Sequence, residues 1–146
     1  MIALIQRVTG ASVEVQGQTV AAIHRGILAL IGVEAADSPA TAAKLLEKML
    51  TYRIFPDEAG KMNLDLRQIA GDLLLVPQFT LVADTRKGTR PSFSEAAKPE
   101  AARELFLGMV AVAQAAHPRV AAGVFGADMQ VQLVNDGPVT FNLHVT

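Results

Sequence analysis

Hydrophobic and polar positions along this chain follow three rhythms, and each rhythm predicts a different element. Residues 2–8 and 11–15 are short, mostly apolar runs that read as two strands. The Gln16-Gly17-Gln18 turn leads into a hairpin partner over 19–23. Residues 26–33 are almost wholly apolar, the pattern of a strand covered on both faces. The rhythm then changes to spacings of three and four. Ala42, Leu45, Leu46, Met49 and Leu50 recur on one helical face, while Lys44, Glu47 and Lys48 lie off it. Ser38 stands where an N-cap belongs, and Pro39 falls in the first helical turn, where its missing N–H costs nothing.

Residues 52–55 read as a return to strand before a turn over 56–60. A further apolar strand covers 72–76, and Pro77, which cannot donate a ladder hydrogen bond, ends it or marks an edge. A second helix is expected over 99–115, with Leu105, Phe106, Met109, Val110 and Val112 on its buried side and His117-Pro118 as its stop. The tail has period two. Val131 and Leu133 alternate with Gln130, Gln132 and Val134; after Asn135-Asp136-Gly137-Pro138, Val139, Phe141, Leu143 and Val145 alternate with polar residues. This reads as a strand pair with one covered face. Strands and helices do not alternate regularly, which predicts a single α+β domain over 1–146. Its expected architecture is a mostly antiparallel, barrel-like β-sheet with two main helices packed on it.

Composition narrows the chemistry. Of 146 residues 51% are hydrophobic and 18% charged, so disorder is excluded. The absence of cysteine excludes a disulfide scaffold, a thiolate nucleophile and sulfur-ligated zinc. A net charge of −1 argues against coating long stretches of nucleic acid, and 5% aromatics with no Trp against an extended base-stacking surface. No basic leader precedes a long apolar stretch, and no apolar run reaches membrane-spanning length; a soluble, cytoplasmic protein with no membrane partner is expected.

Conventional catalysts are missing. Ser12, Ser38, Ser92 and Ser94 sit in no nucleophile elbow, and His24, His117 and His144 fall in three different elements without ligand-like spacing. Asp57-Glu58 and Glu34/Asp37 read as solvated turn residues. Neither a metal site nor a cofactor is expected. Three stretches stand out. Pro77-Gln78-Phe79-Thr80-Leu81 places a polar pair around an aromatic, either as a strand end or as a site. Asn135-Asp136-Gly137-Pro138-Val139-Thr140 is either a tight hairpin turn or a segment whose Gly-Pro pair leaves carbonyls pointing outward. Arg86, Lys87 and Arg90, beside Gly and hydroxyls, make either a phosphate-contacting loop or a solvated one.

Taken together, these residues resemble the D-aminoacyl-tRNA deacylase family, also called D-tyrosyl-tRNA deacylase. The resemblance runs through Ile5-Gln6-Arg7-Val8, Gly60-Lys61-Met62-Asn63, Gln78-Phe79-Thr80-Leu81, Gly88-Thr89-Arg90-Pro91-Ser92-Phe93, Gly123-Val124-Phe125-Gly126-Ala127-Asp128-Met129 and Asn135-Asp136-Gly137-Pro138-Val139-Thr140, in that order. One position departs from the pattern. The family usually has Ser-Gln-Phe-Thr, and Pro77 replaces that serine. A related animal subfamily with relaxed chiral selectivity has Pro-Gln-Ala-Thr there, whereas Phe79 and Arg7 match the strict form.

The resemblance implies hydrolysis of the ester between a D-amino acid and the 3′-terminal adenosine of tRNA, with glycyl-tRNA as a further substrate because glycine has no side chain to reject. Gln78, Phe79 and Thr80 would form the catalytic segment. The ribose 2′-hydroxyl would help activate water, and the N–H groups of Phe79 and Thr80 would hold the oxyanion. Thr80 is expected to position rather than attack, since no base activates it. Pro77, Phe125 and Met129 would contact substrate, the last two at the adenine or else within the core. A homodimer is implied, with a cis Gly137-Pro138 pair braced by Arg7 and inserted into the partner's active site, where it excludes L-amino acids. No Lys or Arg follows Arg119, which leaves an apolar tail suited to burial. With Pro77 in place of serine, two alternatives remain: a tRNA 3′-end binding module without turnover, and a relative with relaxed chirality.

Overall fold

The computed structural model describes residues 1–146. Its organising element is β1 (Ile2–Val15), one 14-residue strand where the sequence pattern predicts two shorter ones. Thr9 and Gly10 do not interrupt it, because β8 pairs on either side of Thr9, at Val8 and Gly10. On one side β3 (Gly26–Gly32) pairs with residues 2–8 and β2 (Gln18–Ile23) with residues 11–15. On the other, β8 (Gln130–His144) pairs antiparallel from Ile2↔His144 to Glu14↔Gln130.

The tail is therefore one strand on β1 rather than a hairpin with itself. Asn135-Asp136-Gly137-Pro138 makes no chain-reversing turn. Gln6 pairs with Thr140 and Val8 with Asn135, so Arg7 alone stands against residues 136–139, and that excess bulges out of the ladder. The period-two pattern was right about the covered face. Leu143 and Val145 are buried while Gln130, Gln132, Thr140 and His144 are exposed.

Beyond β3 the sheet continues through β6 (Asp72–Pro77) and β7 (Val120–Ala122), both pairings parallel. β2 lies back against β6 and β7, so the mixed sheet is nearly closed. Parallel neighbours need crossovers. The first contains α1 (Pro39–Leu50) and the second α2 (Pro99–Ala116), both packed on the same face. Ser38 caps α1 by accepting from Thr41 N (3.3 Å), with Pro39 in its first turn. On α2, Phe106, Met109 and Val110 are buried as expected. Leu105 is only half-buried and Val112 is exposed, because the groove between the helices leaves their edge of the stripe uncovered. Residues 52–54 are not strand; only β4 (Phe55–Pro56) pairs, with β5 (Met62–Leu64), in a separate ribbon.

The apolar run of β3 is explained by two cores. Ile27, Ala29 and Ile31 face the helices with Leu73 and Leu75, whereas Leu28 and Leu74 face the barrel interior with Val8, Val13 and Val76. Gly26 permits the closest approach in the sheet, since a Cβ there would lie 1.9 Å from Asp72 O.

The chain start is tied into this frame. The Met1 ammonium donates to Glu34 Oε2 (2.5 Å), Asp37 Oδ1 (2.7 Å) and Val145 O (2.8 Å), and His144 Nε2 reaches the same Glu34 oxygen at 2.7 Å. Glu34 and Asp37 are thus paired structural carboxylates, not solvated turn residues. The signal lies in tertiary register, since β3 ends beside the residue that opens β1. Burial pushes the Glu34 carboxyl up, but hydrogen bonds from the Met1 ammonium and His144 outweigh it and hold it below its ordinary value. A depressed folded pKa stabilises above the unfolded value of about 4.3 and is lost as pH falls through the folded one. Thermal melts of the wild type and Glu34→Gln are expected to differ most near neutrality, the gap narrowing as pH drops below about 4.

Candidate active site

The C-terminal end of β6, the segment that follows β7 and the start of β8 converge on one cavity. Gln78 N donates to Ile31 O (2.7 Å), which carries the ladder one residue past Pro77 before the chain enters a single 3₁₀ turn, Phe79–Val82. Pro77 at the strand end satisfies the rule that it cannot donate, and it lines the cavity wall. Gly123 follows β7, and a Cβ there would meet Met129 Sδ at 2.9 Å and Pro77 Cδ at 3.5 Å, so glycine lets Met129 lie against that wall.

The cavity holds about 310 Å³ and brings together Pro77, Gln78, Phe79, Phe125 and Met129, five residues singled out from sequence. Phe125 and Met129 pack on the core and also reach the cavity. Phe125 packs on core Phe106 at 6.2 Å between ring centroids, and Met129 packs on the barrel core, yet each also lines the cavity. Thr80 is exposed beside it, its hydroxyl hydrogen-bonded to the Gln78 side-chain amide. The first hydrogen bond within the 3₁₀ turn runs from Leu81 N to Gln78 O (3.2 Å), which places the N–H groups of Phe79 and Thr80 ahead of it with no capping side chain. No Asp, Glu, His, Lys or Arg lines the cavity. A groove of about 370 Å³ between α1 and α2 is larger, but its polar lining is limited to Asp37 and Glu104, far from these donors in the fold.

Arg7, Gly137 and Pro138 lie outside that cavity, the last two on the bulge of β8 and Arg7 opposite them on β1. The Gly137–Pro138 peptide is cis, and both residues are exposed. Arg7 is half-buried beneath them. Its Nε donates to Asp136 O (2.9 Å) and its guanidinium also to Ile54 O (2.7 Å), with Asp136 Oδ2 3.5 Å away. Asn135 closes the bulge from the other side: its Oδ1 accepts from Val139 N (2.6 Å) and its amide donates to Thr140 Oγ1 (2.9 Å).

The cationic loop divides. Arg86 is engaged by Asp84 in a two-point ion pair (2.8 Å at both contacts), and this guanidinium, with the Arg86 N–H, holds the Asp84 carboxyl far below its usual range. Lys87 and Arg90 are exposed and make no ion pair. Of the three expected phosphate contacts, Arg86 is thus neutralised in place by a carboxylate two residues away.

The cavity has apolar walls, is flanked by the uncapped backbone donors of the 3₁₀ turn, and lies at the rim of a nearly closed sheet. The family model described as D-Tyr-tRNA(Tyr) deacylase matches residues 4–144. A D-aminoacyl-tRNA deacylase from Pseudomonas entomophila (strain L48) is 61% identical over 99% of this chain and 100% of its own length. One from Thioalkalivibrio sulfidiphilus (strain HL-EbGR7) is 61% identical over 99% of this chain and 97% of its own. Among solved structures, a c-Myc DNA Unwinding Element Binding Protein superposes with a TM-score of 0.94 at 37% identity, covering 99% of this chain and 98% of that one. A probable eukaryotic D-amino acid tRNA deacylase shares the fold at a TM-score of 0.79 and 17% identity, covering 97% of this chain and 98% of that one. The chain belongs to the D-Tyr-tRNA(Tyr) deacylase family of hydrolases, and its activity is that of a D-aminoacyl-tRNA deacylase.

The Arg7 brace has a measurable consequence. Arg7→Ala leaves two partly buried carbonyls without donors and is expected to cost about 2 kcal/mol in denaturant unfolding. Arg7→Lys, a single ammonium unable to span Asp136 O and Ile54 O together, is expected to recover less than half of that loss.

Proposed function

We propose that this protein hydrolyses D-aminoacyl-tRNA by substrate-assisted catalysis and rejects L-amino acids through a backbone wedge supplied by a second copy of the chain. The observation that carries this reading is the cavity itself, which gathers Pro77, Gln78, Phe79, Phe125 and Met129 yet holds no side-chain acid or base. General acid–base help must then come from the substrate, and the ribose 2′-hydroxyl next to the ester is the nearest group able to orient and activate water. Water adds to the ester carbonyl and the N–H groups of Phe79 and Thr80 stabilise the oxyanion. The 3′-oxygen then leaves with a proton, releasing the free D-amino acid and tRNA. Thr80 and Gln78 orient the segment. Phe125 and Met129 take the adenine, and Lys87 and Arg90 meet phosphates.

The chiral filter follows from the bulge. Gly137 and Pro138 project from β8, braced by Arg7 and separate from their own cavity, an arrangement suited to entering a partner's. Their carbonyl oxygens accept from the substrate's α-ammonium, leaving space for a D-side chain and none for an L one. Glycine meets no such barrier, so glycyl-tRNA mischarged on tRNA(Ala) is a substrate. The complete site therefore requires a homodimer. These roles need no metal or cofactor, and the substrate is met in the cytoplasm.

Discharge of D-Tyr-, L-Tyr- and Gly-tRNA(Ala), with chelator present throughout, tests this directly. The D and glycyl esters are expected to be cleaved and the L ester spared; equal rates on both enantiomers would end the chiral-filter reading. Thr80→Ala is expected to lower kcat by about tenfold, whereas loss by many orders of magnitude would make Thr80 a nucleophile. Pro77→Ser is expected to stay within a few-fold of the parent. A large gain from an inert parent would instead favour a binding module. Mixing Phe79→Ala subunits with Arg7→Ala subunits should restore activity above either alone, because one heterodimer site combines an intact cavity with an intact wedge.

A further inference from the structure

Behind the 3₁₀ turn the chain makes a loop whose most conspicuous side chain the ester chemistry does not use. Asp84 N donates to Ser92 O (2.7 Å) and Ser92 N to Asp84 O (3.1 Å), which closes residues 85–91 into a loop and delivers Phe93 beside Phe79. The two ring centroids lie 5.1 Å apart with planes inclined at 50°. Phe79 is 62% exposed and Phe93 38%. A phenyl ring left in water forgoes about 2 kcal/mol of burial, so a pair of them at the surface marks a place that something covers during function. Phe79 belongs to the cavity lining and Phe93 does not, so the pair leads from the cavity rim outward. Lys87 and Arg90, both exposed and without carboxylate partners, are on the same loop.

Aromatic faces beside free cations suit a single strand of nucleic acid, whose bases stack on rings regardless of sequence while its phosphates meet the charges. We infer that Phe79 and Phe93 form a stacking platform for the nucleobase immediately before the terminal adenosine, with Lys87 and Arg90 holding the adjoining phosphates. The inference rests on the tRNA 3′-end reading and deepens it: the cavity takes the last nucleotide and the platform the one before. Phe93 is a positioning residue, because its inclined ring fixes the attitude of Phe79 and offers the outer face. A low aromatic content weighs against an extended stacking surface, but two rings suffice for one base.

The test compares kcat/KM on D-Tyr-tRNA with that on D-tyrosyl-adenosine, which has no preceding nucleotide. Phe93→Ala and Phe93→Leu are expected to lower the tRNA value about tenfold more than the adenosine value, mainly through KM, and Phe93→Tyr to restore it. Equal losses on both substrates would overturn the platform, as would Phe93→Leu subunits that sediment as monomers where the parent is dimeric. A second readout needs no hydrolysis: 2-aminopurine replacing the base before the terminal adenosine of uncharged tRNA. Its fluorescence is expected to be quenched by the wild type and several-fold less by Phe93→Leu. Quenching without discharge of any D-ester would sink the hydrolase mechanism and leave the platform standing. Discharge with no difference in quenching would do the reverse.

Discussion

The structure depends on the requirement that β1 be hydrogen-bonded along both edges. β2 and β3 occupy one edge end to end, and β8 occupies the other. Between Gln6 and Val8 the partner strand brings four residues where β1 offers one, and the surplus has nowhere to go but outward. Arg7 is the single residue opposite that surplus. With a stem beneath the bulge and a fork that reaches Asp136 O and Ile54 O, it turns an irregularity of pairing into a held projection. Exposed Gly137 and Pro138 are thus a product of strand register.

The same sheet decides where the cavity lies. Its parallel part, β3-β6-β7, is connected by two crossovers whose helices cover one face, so the three strands end together at one rim. Ligand sites favour such carboxyl ends, because the chains leave the sheet there and their loops are free to diverge. Here they diverge around Pro77, Phe79, Phe125 and Met129, with apolar walls and backbone N–H groups as the main resources.

Charge is arranged locally. Glu34 and Asp37 hold the Met1 ammonium, Asp72 accepts from His24 N (2.9 Å) and Arg119 (2.6 Å), Glu47 pairs with Arg67 and Asp84 with Arg86. A net charge near zero therefore coexists with a loop on which Lys87 and Arg90 remain unpaired. Gripping one short end of a nucleic acid needs only a few such cations, because each neutralised phosphate releases its own counterions.

By itself the sequence determined the two helices, the Ser38 cap of α1, the doubly covered strand β3 and the alternation of the tail, since these follow from the periodicity of side chains and local capping chemistry. It also marked most of the cavity residues, because Gln78-Phe79-Thr80 and the Phe125–Met129 region resemble a known family. Only the tertiary structure decided that residues 2–15 are one strand, that β8 pairs with β1 and not with itself, and that β3, β6 and β7 run parallel. Period-two patterns report which face is covered but never which strand lies alongside. It decided equally that Glu34 and Asp37 are paired, that Arg86 is neutralised and that Phe93 meets Phe79. Those are contacts between segments whose spacing in the chain carries no record of their distance in space.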